Sequence, residues 1–228
     1  MAEFSNYLDP SISLEARLLI AFAELEIIKE QQDAIRAILA PLKMKNAATY
    51  YHYEHSLRVA FLGRRIAAFM HLDEKALFYA GLLHDVGKML TDDKTLGKVS
   101  GWTSADTEEM KSHPMDGYRL LKGRFDFSAE IIVRHHVFQR NGYPEEPDES
   151  THDYSKGTKA TIAFCARLLA LADVFDAMHR VNEKSGVMRA FTSDEIKERL
   201  IEMNPDQVRL IESLYKEGIF PMESFPSA

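Results

Sequence analysis

The apolar residues of this chain recur mostly at intervals of three and four, which is the spacing of one face of an α-helix. From Ser13 to Leu39 this pattern predicts a single long helix, preceded by Pro10 and ended by Pro41. A second helix is expected over Ala47 to His71, with an apolar stripe that reaches back to His55. The first helix either packs on the main body, which we favour, or serves a dimer contact or regulatory role.

The rest of the chain continues the helical pattern. No stretch alternates apolar and polar residues in the manner of a strand, so an all-α fold is expected. Two segments lack this helical pattern. We predict a polar loop over Thr91 to Gly101 and a polar, mobile segment over Glu145 to Lys159. The further helices are expected to be one capped by Asp73, one within Thr103 to Lys122, one capped by Ser128, a core helix over Thr161 to Arg180, and two short helices over Asp194 to Glu202 and Pro205 to Lys216.

Composition narrows the class of protein. The 228 residues are 46% hydrophobic, enough for a substantial core, and the formal charge of −7 argues against a partner that is a long nucleic acid. The single cysteine, Cys165, excludes an internal disulfide and suits a reducing cytoplasm. Met1 to Pro10 lacks the features of a signal peptide, and no apolar run reaches the roughly 20 residues of a membrane span. We therefore expect a cytoplasmic protein without a membrane partner.

The candidate chemistry centres on the stretch Ala80 to Lys88, which reads AGLLHDVGK. His84 and Asp85 stand side by side, and such a pair can bind two metal ions with the carboxylate as the bridge. Lys88, one turn on, adds a positive charge suited to a phosphate oxygen. Taken alone the pair is weak evidence, because a helix cap or a surface polar group is the commoner explanation.

Other segments strengthen the metal interpretation. An aspartate on an apolar helix face, such as Asp173 or Asp176, needs a metal or a buried arginine as its partner. The ligand types are nitrogen and carboxylate oxygen without thiolate, which favours iron, manganese or another first-row metal over structural zinc. Seven candidate ligands are more than one metal ion binds, so two divalent ions are expected. Nickel, zinc and magnesium are the alternatives to iron and manganese. The candidate ligands are His55, His84, Asp85, His113, His135, His136 and Asp173, whereas His52 is expected at the edge of its helix face.

These motifs resemble a known family. The carriers are Glu54-His55-Ser56, His84-Asp85-Val86-Gly87-Lys88, His113-Pro114 with Gly117-Tyr118, His135-His136, Gly142-Tyr143-Pro144 and Ala172-Asp173-Val174-Phe175-Asp176-Ala177. In this order they resemble the HD superfamily of metal-dependent phosphohydrolases, and more closely its HD-GYP branch, whose members hydrolyse cyclic di-GMP. The resemblance covers roughly 47–178. It predicts an HD-domain helical bundle with a central metal site, divided as an N-terminal helical extension (1–45), a catalytic domain (46–190) and a C-terminal helical closure (191–228).

The resemblance also implies roles for individual residues. One ion would be held by His55, His84, Asp85 and Asp173, and the other by Asp85, His113, His135 and His136. Asp85 would bridge the ions and Lys88 would contact the scissile phosphate, which makes these two the catalytic candidates. Tyr51 stands where some members carry a glutamate for a third metal, so two ions are predicted. Arg180 and Lys184 lie near the family's basic residues for ligand phosphates, and with Lys88 and Tyr143 they are the substrate-binding candidates.

The function expected from these features is two-metal hydrolysis of a phosphodiester in a small nucleotide, most specifically a cyclic di-GMP-type dinucleotide. Two alternatives stay open. The protein could be an HD-type phosphohydrolase acting on a mononucleotide or small phosphate ester, or a catalytically weak sensor that keeps the metals. A homodimer is also left open. Lys98 and Trp102 are expected on a plain surface loop, with a pocket rim as the alternative.

Overall fold

The computed structural model describes residues 11–139, 141–144, 152–179, 189 and 191–221. Within these residues the chain forms eleven α-helices and a 3₁₀ helix, and no strand, so the predicted all-α fold is confirmed. The helices are α1 (Leu14–Glu24), α2 (Lys29–Met44), α3 (Ala47–Phe69), α4 (Glu74–Leu83), α5 (Asp93–Leu96), α6 (Ser104–Met110), α7 (His113–Leu121), α8 (Asp126–Ile132), α9 (Lys156–Ala177), α10 (Ser193–Met203) and α11 (Val208–Lys216), with the 3₁₀ helix at Val86–Leu90.

Helix α3 lies at the centre of the fold. It begins at Asn46, whose side chain accepts a hydrogen bond from the backbone N–H of Thr49, and it packs against α1, α2, α4, α5 and α9. Helix α4 approaches it closely at Gly81, where a Cβ atom would lie 2.5 Å from the Cα of Ala60. A side chain at this position would push the two helices apart. Glycine therefore sets the distance between α3 and the residues that follow α4.

The prediction of one helix over Ser13 to Leu39 is wrong, because two helices, α1 and α2, occupy this region. The chain turns between them at Glu26, which has a φ of 49°. The turn buries Ile27, which is 3% exposed. Pro41 does not end α2, which continues for one more turn. Burial of Leu42 in the core offsets the hydrogen bond that the proline cannot make.

Two details of the middle of the chain also differ from expectation. The loop Thr91 to Gly101 contains α5, capped by Asp92, and this short helix buries Thr95 and Leu96. Ser128 is not a cap but lies inside α8, which begins at Asp126. The side chain of Asp126 instead accepts a hydrogen bond from the backbone N–H of Gly123, at 2.6 Å.

The last core helix begins earlier than predicted. Helix α9 starts at Lys156, capped by Ser155, so the end of the segment expected to be mobile is helical; residues 145–151 lie outside the described residues. The two short C-terminal helices are confirmed as α10 and α11. In the part of the chain that the structure describes, no helix combines the length and apolarity needed to cross a membrane. The domain division at 45 and 190 and the cytoplasmic location stay predictions.

Candidate metal centre

The structure brings the seven predicted ligand residues together at one point inside the helical bundle. Each of these seven residues is at most 9% exposed to solvent. They come from different parts of the fold: α3, the end of α4, the start of α7, the turns after α8, and α9. The members are His55, His84, Asp85, His113, His135, His136 and Asp173.

Three of the histidines are oriented in the same way by the ends of helices. In each, Nδ1 donates to the backbone carbonyl three residues earlier: His84 to Gly81 (2.8 Å), His113 to Met110 (2.6 Å) and His135 to Ile132 (2.5 Å). These carbonyls belong to the last turns of α4, α6 and α8, where the helix itself leaves them unsatisfied. Since the proton that each ring donates lies on Nδ1, Nε2 is the nitrogen left to bind a metal, and in each ring it faces the centre.

The Asp85 carboxylate lies between two groups of imidazoles. Its Oδ1 is 3.5 Å from Nε2 of His84 and 3.5 Å from Nε2 of His113, and it has no hydrogen-bond partner. Its Oδ2 accepts a hydrogen bond from Nζ of Lys88 at 2.6 Å. The same oxygen is 3.7 Å from Nε2 of His55. Both oxygens of the Asp85 carboxylate thus lie within 3.7 Å of an imidazole nitrogen.

The donor atoms fit divalent metal ions. Nε2 of His84 lies 3.3 Å from Nε2 of His55, and Nε2 of His113 lies 3.5 Å from Nε2 of His135. Two nitrogens each about 2.1 Å from one ion, at an angle near 100°, stand about 3.2 Å apart. The lone pairs of the imidazole nitrogens and the buried Oδ1 of Asp85, which has no hydrogen-bond partner, therefore point into the same space. A cation bound there would interact favourably with all of them. Three groups have ligand atoms within 4.8 Å of one another: His113, His135 and His136; His55, His84 and Asp85; and His84, His135 and Asp173.

His55 is held differently from the other histidines. Its Nδ1 is 2.7 Å from Oδ2 of Asp176, and its Nε2 is 3.0 Å from Oδ1 of Asp173. Asp176 also accepts hydrogen bonds from Arg58, at 2.8 Å from Nε and 3.1 Å from NH2. Burial opposes the charged ring, but the hydrogen bonds to Asp173 and Asp176 outweigh it and raise the pKa of His55 to about 9. A carboxylate on Nδ1 is the usual partner of a metal-binding histidine.

Four further site groups have pKa values that leave their metal-binding atoms unprotonated: His113, His135, His136 and Asp85. Burial is the largest cause in each of three rings: it lowers the pKa of His135 to about 4 and holds the pKa values of His113 and His136 well below their usual range. These rings are therefore neutral at pH 7. Burial opposes ionisation of Asp85, yet the neighbouring His84 and Lys88 hold the pKa of its carboxyl well below its usual range.

An open pocket of about 380 Å³ leads to the centre. Lys88 lines it, as does Tyr143, whose ring stacks on His136 with centroids 4.6 Å apart. Lys98 and Trp102 also line the pocket, so the loop that carries them forms part of its rim instead of a plain surface loop. Two other substrate-binding candidates, Arg180 and Lys184, lie outside the described residues.

Sequence reasoning missed part of the surroundings of the centre. His52 was expected at the edge of its helix face, but it is 4% exposed, with Nδ1 lacking a hydrogen-bond partner 3.5 Å from Oδ2 of Asp85. Burial, together with the nearby charge of Lys88, lowers the pKa of His52 to about 3. His135 and His136 do not lie on a helix as expected, because α8 ends at Ile132 and both follow in turns. Gln139 lies 2.6 Å from Nδ1 of His136.

Comparisons with known proteins are consistent with this geometry. A family model described as HD domain matches residues 52–178. The cyclic di-GMP phosphodiesterase response regulator RpfG of Xanthomonas campestris pv. campestris is 30% identical over 173 residues, covering 74% of this chain and 43% of the relative. A cyclic di-GMP phosphodiesterase of Thermotoga maritima is 31% identical over 165 residues, covering 67% of this chain and 41% of the relative. The chain thus spans less than half the length of these two relatives.

A solved structure shares the fold. The HD domain of the L. monocytogenes phosphodiesterase PgpH, in complex with cyclic-di-AMP, superposes with a TM-score of 0.53 and 18% sequence identity. The match covers 82% of this chain and 86% of that chain. At this identity the likeness concerns the arrangement of helices alone.

Proposed function

The chain belongs to the HD domain family, and on that premise we propose that it is a metal-dependent phosphodiesterase that hydrolyses a cyclic dinucleotide of the cyclic di-GMP type. The observation that carries the proposal is the convergence of six buried imidazoles and carboxylates around Asp85, with Lys88 beside it in an open pocket. The HD-GYP branch is part of the proposal. It is supported by the quoted motifs and by the two relatives named as cyclic di-GMP phosphodiesterases.

We assign the seven side chains to two divalent ions, iron or manganese by their nitrogen and oxygen donors. Asp85 is the shared ligand, because its carboxylate lies within 3.7 Å of Nε2 of His55 and His84 on one side and of His113 on the other. His84 and His135 lie between the groups, since both also belong to the cluster with Asp173. When bound, the two ions supply Lewis-acid activation of a water and neutralise charge on the phosphoryl oxygens.

The protein's own groups complete the site. Lys88 is 11% exposed in its side chain, so its ammonium is fixed on Oδ2 of Asp85 at the floor of the pocket, within reach of a bound phosphate. A positive charge held there stabilises the negative charge that develops on the phosphoryl oxygens during attack. Tyr143 covers His136 and presents its ring to the pocket, where a nucleotide base can stack.

The test combines metal analysis with a substrate panel. The full chain, purified without oxygen and reloaded with Fe²⁺ or Mn²⁺, is assayed on cyclic di-GMP, cyclic di-AMP, a mixed guanine–adenine cyclic dinucleotide, mononucleotides and bis(4-nitrophenyl) phosphate. We expect hydrolysis of a cyclic dinucleotide to depend on the metal. His84→Ala and Asp85→Ala are expected to lose bound metal and activity together, because each removes a central ligand.

His71→Asn is the matched control, since His71 is exposed, lies beyond the C-terminal end of α3, and has a φ of 54° that asparagine tolerates. It should keep the metal and the activity of the wild type. Phosphoester hydrolysis by metal-free protein would refute the proposal. Turnover confined to mononucleotides would support the second enzyme candidate, and tight binding of a cyclic dinucleotide without turnover would identify a sensor.

A further inference from the structure

Arg199 of α10 lines the same pocket as the metal centre. Three cationic side chains of the described residues line this pocket: Lys88, Lys98 and Arg199. Lys88 is committed to Asp85, and Lys98 donates to Oδ2 of Asp106 at 2.6 Å. Arg199 is exposed and has no carboxylate partner among the described residues. Among these three described side chains, its guanidinium is therefore the one without a carboxylate partner, and it can bind an anionic group besides the phosphate that lies beside Lys88.

The absence of an ion pair at Arg199 has a structural reason. Glu195 stands four residues earlier on the same helix, the spacing at which glutamate and arginine usually pair. Here Glu195 binds the guanidinium of Arg189 with both oxygens, at 2.7 and 2.5 Å. It also accepts the backbone N–H of Thr192 at 2.8 Å as part of the N-terminal cap of α10. Both of its oxygens are thus used.

Phe191 determines how the guanidinium is presented. The Cζ atom of Arg199 lies 4.3 Å from the centroid of the Phe191 ring, and Phe191 is itself 9% exposed. One flat face of the guanidinium is covered by this ring, in a cation–π contact. The N–H groups along its edge remain free of the ring, and the planar fork they form suits two phosphate oxygens.

We propose that Arg199 binds the second phosphate of a cyclic dinucleotide, the one that is not being hydrolysed. This inference rests on the proposed function, because a cyclic dinucleotide carries two phosphodiesters and the centre beside Lys88 holds one. A mononucleotide or small diester has no group for this position. Since α10 lies beyond the matched residues 52–178, the contact belongs to this chain's C-terminal segment and makes the pocket selective for dinucleotides.

The test uses Arg199→Gln, which keeps most of the side-chain stem over Phe191 and removes the charge. Metal-loaded wild type and variant are compared in kcat and KM for cyclic di-GMP and bis(4-nitrophenyl) phosphate. Affinity for a slowly hydrolysed phosphorothioate analogue of cyclic di-GMP is measured by calorimetry. We expect KM for cyclic di-GMP and the dissociation constant of the analogue to rise about tenfold, with a smaller change for the small diester. Arg199→Lys should fall between wild type and Arg199→Gln.

Arg209→Gln is the matched control, because Arg209 is an exposed arginine of α11 that does not line the pocket. Thermal unfolding of each variant verifies that it is folded. The inference is overturned if Arg199→Gln matches Arg209→Gln on cyclic di-GMP, or if both substrates are affected equally. If the wild type cleaves the small diester but no cyclic dinucleotide, the proposed substrate class is refuted. The role of Arg199 in binding a second phosphate is then refuted as well, because it depends on that substrate.

Discussion

Replacing Asp176 by asparagine tests whether the residues behind the metal ligands determine metal affinity. Asp176 is 2% exposed, and one carboxylate serves two donors, Nδ1 of His55 at 2.7 Å and the guanidinium of Arg58 at 2.8 Å. Asparagine has nearly the same shape but only one acceptor oxygen. If its oxygen faces His55, its NH₂ group opposes the N–H groups of Arg58. If its NH₂ group faces His55, Nδ1 must become the acceptor and the proton moves to Nε2, which blocks the ligand atom.

Either arrangement weakens the site by a predictable amount. Loss of the partner behind a metal-binding histidine typically lowers metal affinity 10- to 100-fold. We expect this range for Asp176→Asn, measured by competition of Mn²⁺ between the protein and a chelator of known affinity. The variant also leaves Arg58 partly unpaired, with its side chain only 18% exposed, so the metal-free protein should lose about 1–3 kcal/mol of unfolding free energy in urea.

Asp206→Asn provides the comparison, because Asp206 also pairs with an arginine, Arg167 at 2.7 Å, but with a side chain that is 60% exposed. Solvent screens the exposed carboxylate of Asp206 although Arg167 itself is buried, and neither residue is one of the candidate metal ligands. Metal affinity of Asp206→Asn should equal that of the wild type. If Asp176→Asn also binds Mn²⁺ within about twofold of the wild type, the orientation of His55 by Asp176 is not what sets affinity, and the reasoning is refuted.

Three further predictions address packing, acid stability and catalysis. Gly87→Ala would place a Cβ atom 2.0 Å from the carbonyl oxygen of His113, so the urea midpoint of this variant should fall by an amount equivalent to more than about 2 kcal/mol. Gly157→Ala is the control and should be nearly neutral, because its Cβ would lie 3.8 Å from the nearest side-chain atom. Burial raises the pKa of Glu15, but hydrogen bonds from Lys43 and Tyr53 outweigh this and hold it below its usual value. Glu15 therefore adds stability above pH 4.5 that is lost as the pH falls through its lowered pKa. The wild type and Glu15→Gln should differ in urea midpoint at pH 7, and the difference should shrink steadily as the pH falls below 4.5; a difference that does not change with pH would contradict this. Lys88→Gln should keep both metals by elemental analysis but lower kcat roughly 100-fold, and an unchanged kcat would remove Lys88 from the mechanism.

Residue type and spacing were sufficient to find the seven ligand candidates, because imidazoles and carboxylates on otherwise apolar helix faces are rare without a shared partner. The same spacing could not locate where a helix ends. The apolar pattern runs unbroken through Leu25 to Ile28, and the turn there depends on Ile27 reaching the core, a tertiary contact. His135 and His136 were placed on a helix for the same reason, since apolar residues precede them without a break.

The residues behind the ligands were harder to predict. His52 is polar and sits beside the apolar stripe of α3, so its burial follows only from the tertiary packing that brings Asp85 within 3.5 Å of its Nδ1. For Asp176 the sequence left two partners open, a metal or a buried arginine. The structure gives it Arg58 together with His55, and this pairing across 118 residues between α3 and α9 is not encoded in any local pattern.

The carbonyl ends of three helices, α4, α6 and α8, point at the centre through His84, His113 and His135. Each end carries about half a negative charge, which adds to the charges of Asp85, Asp173 and Asp176. An interior of this polarity favours a bound cation, so the helix ends that orient the three imidazoles also strengthen their hold on a metal ion.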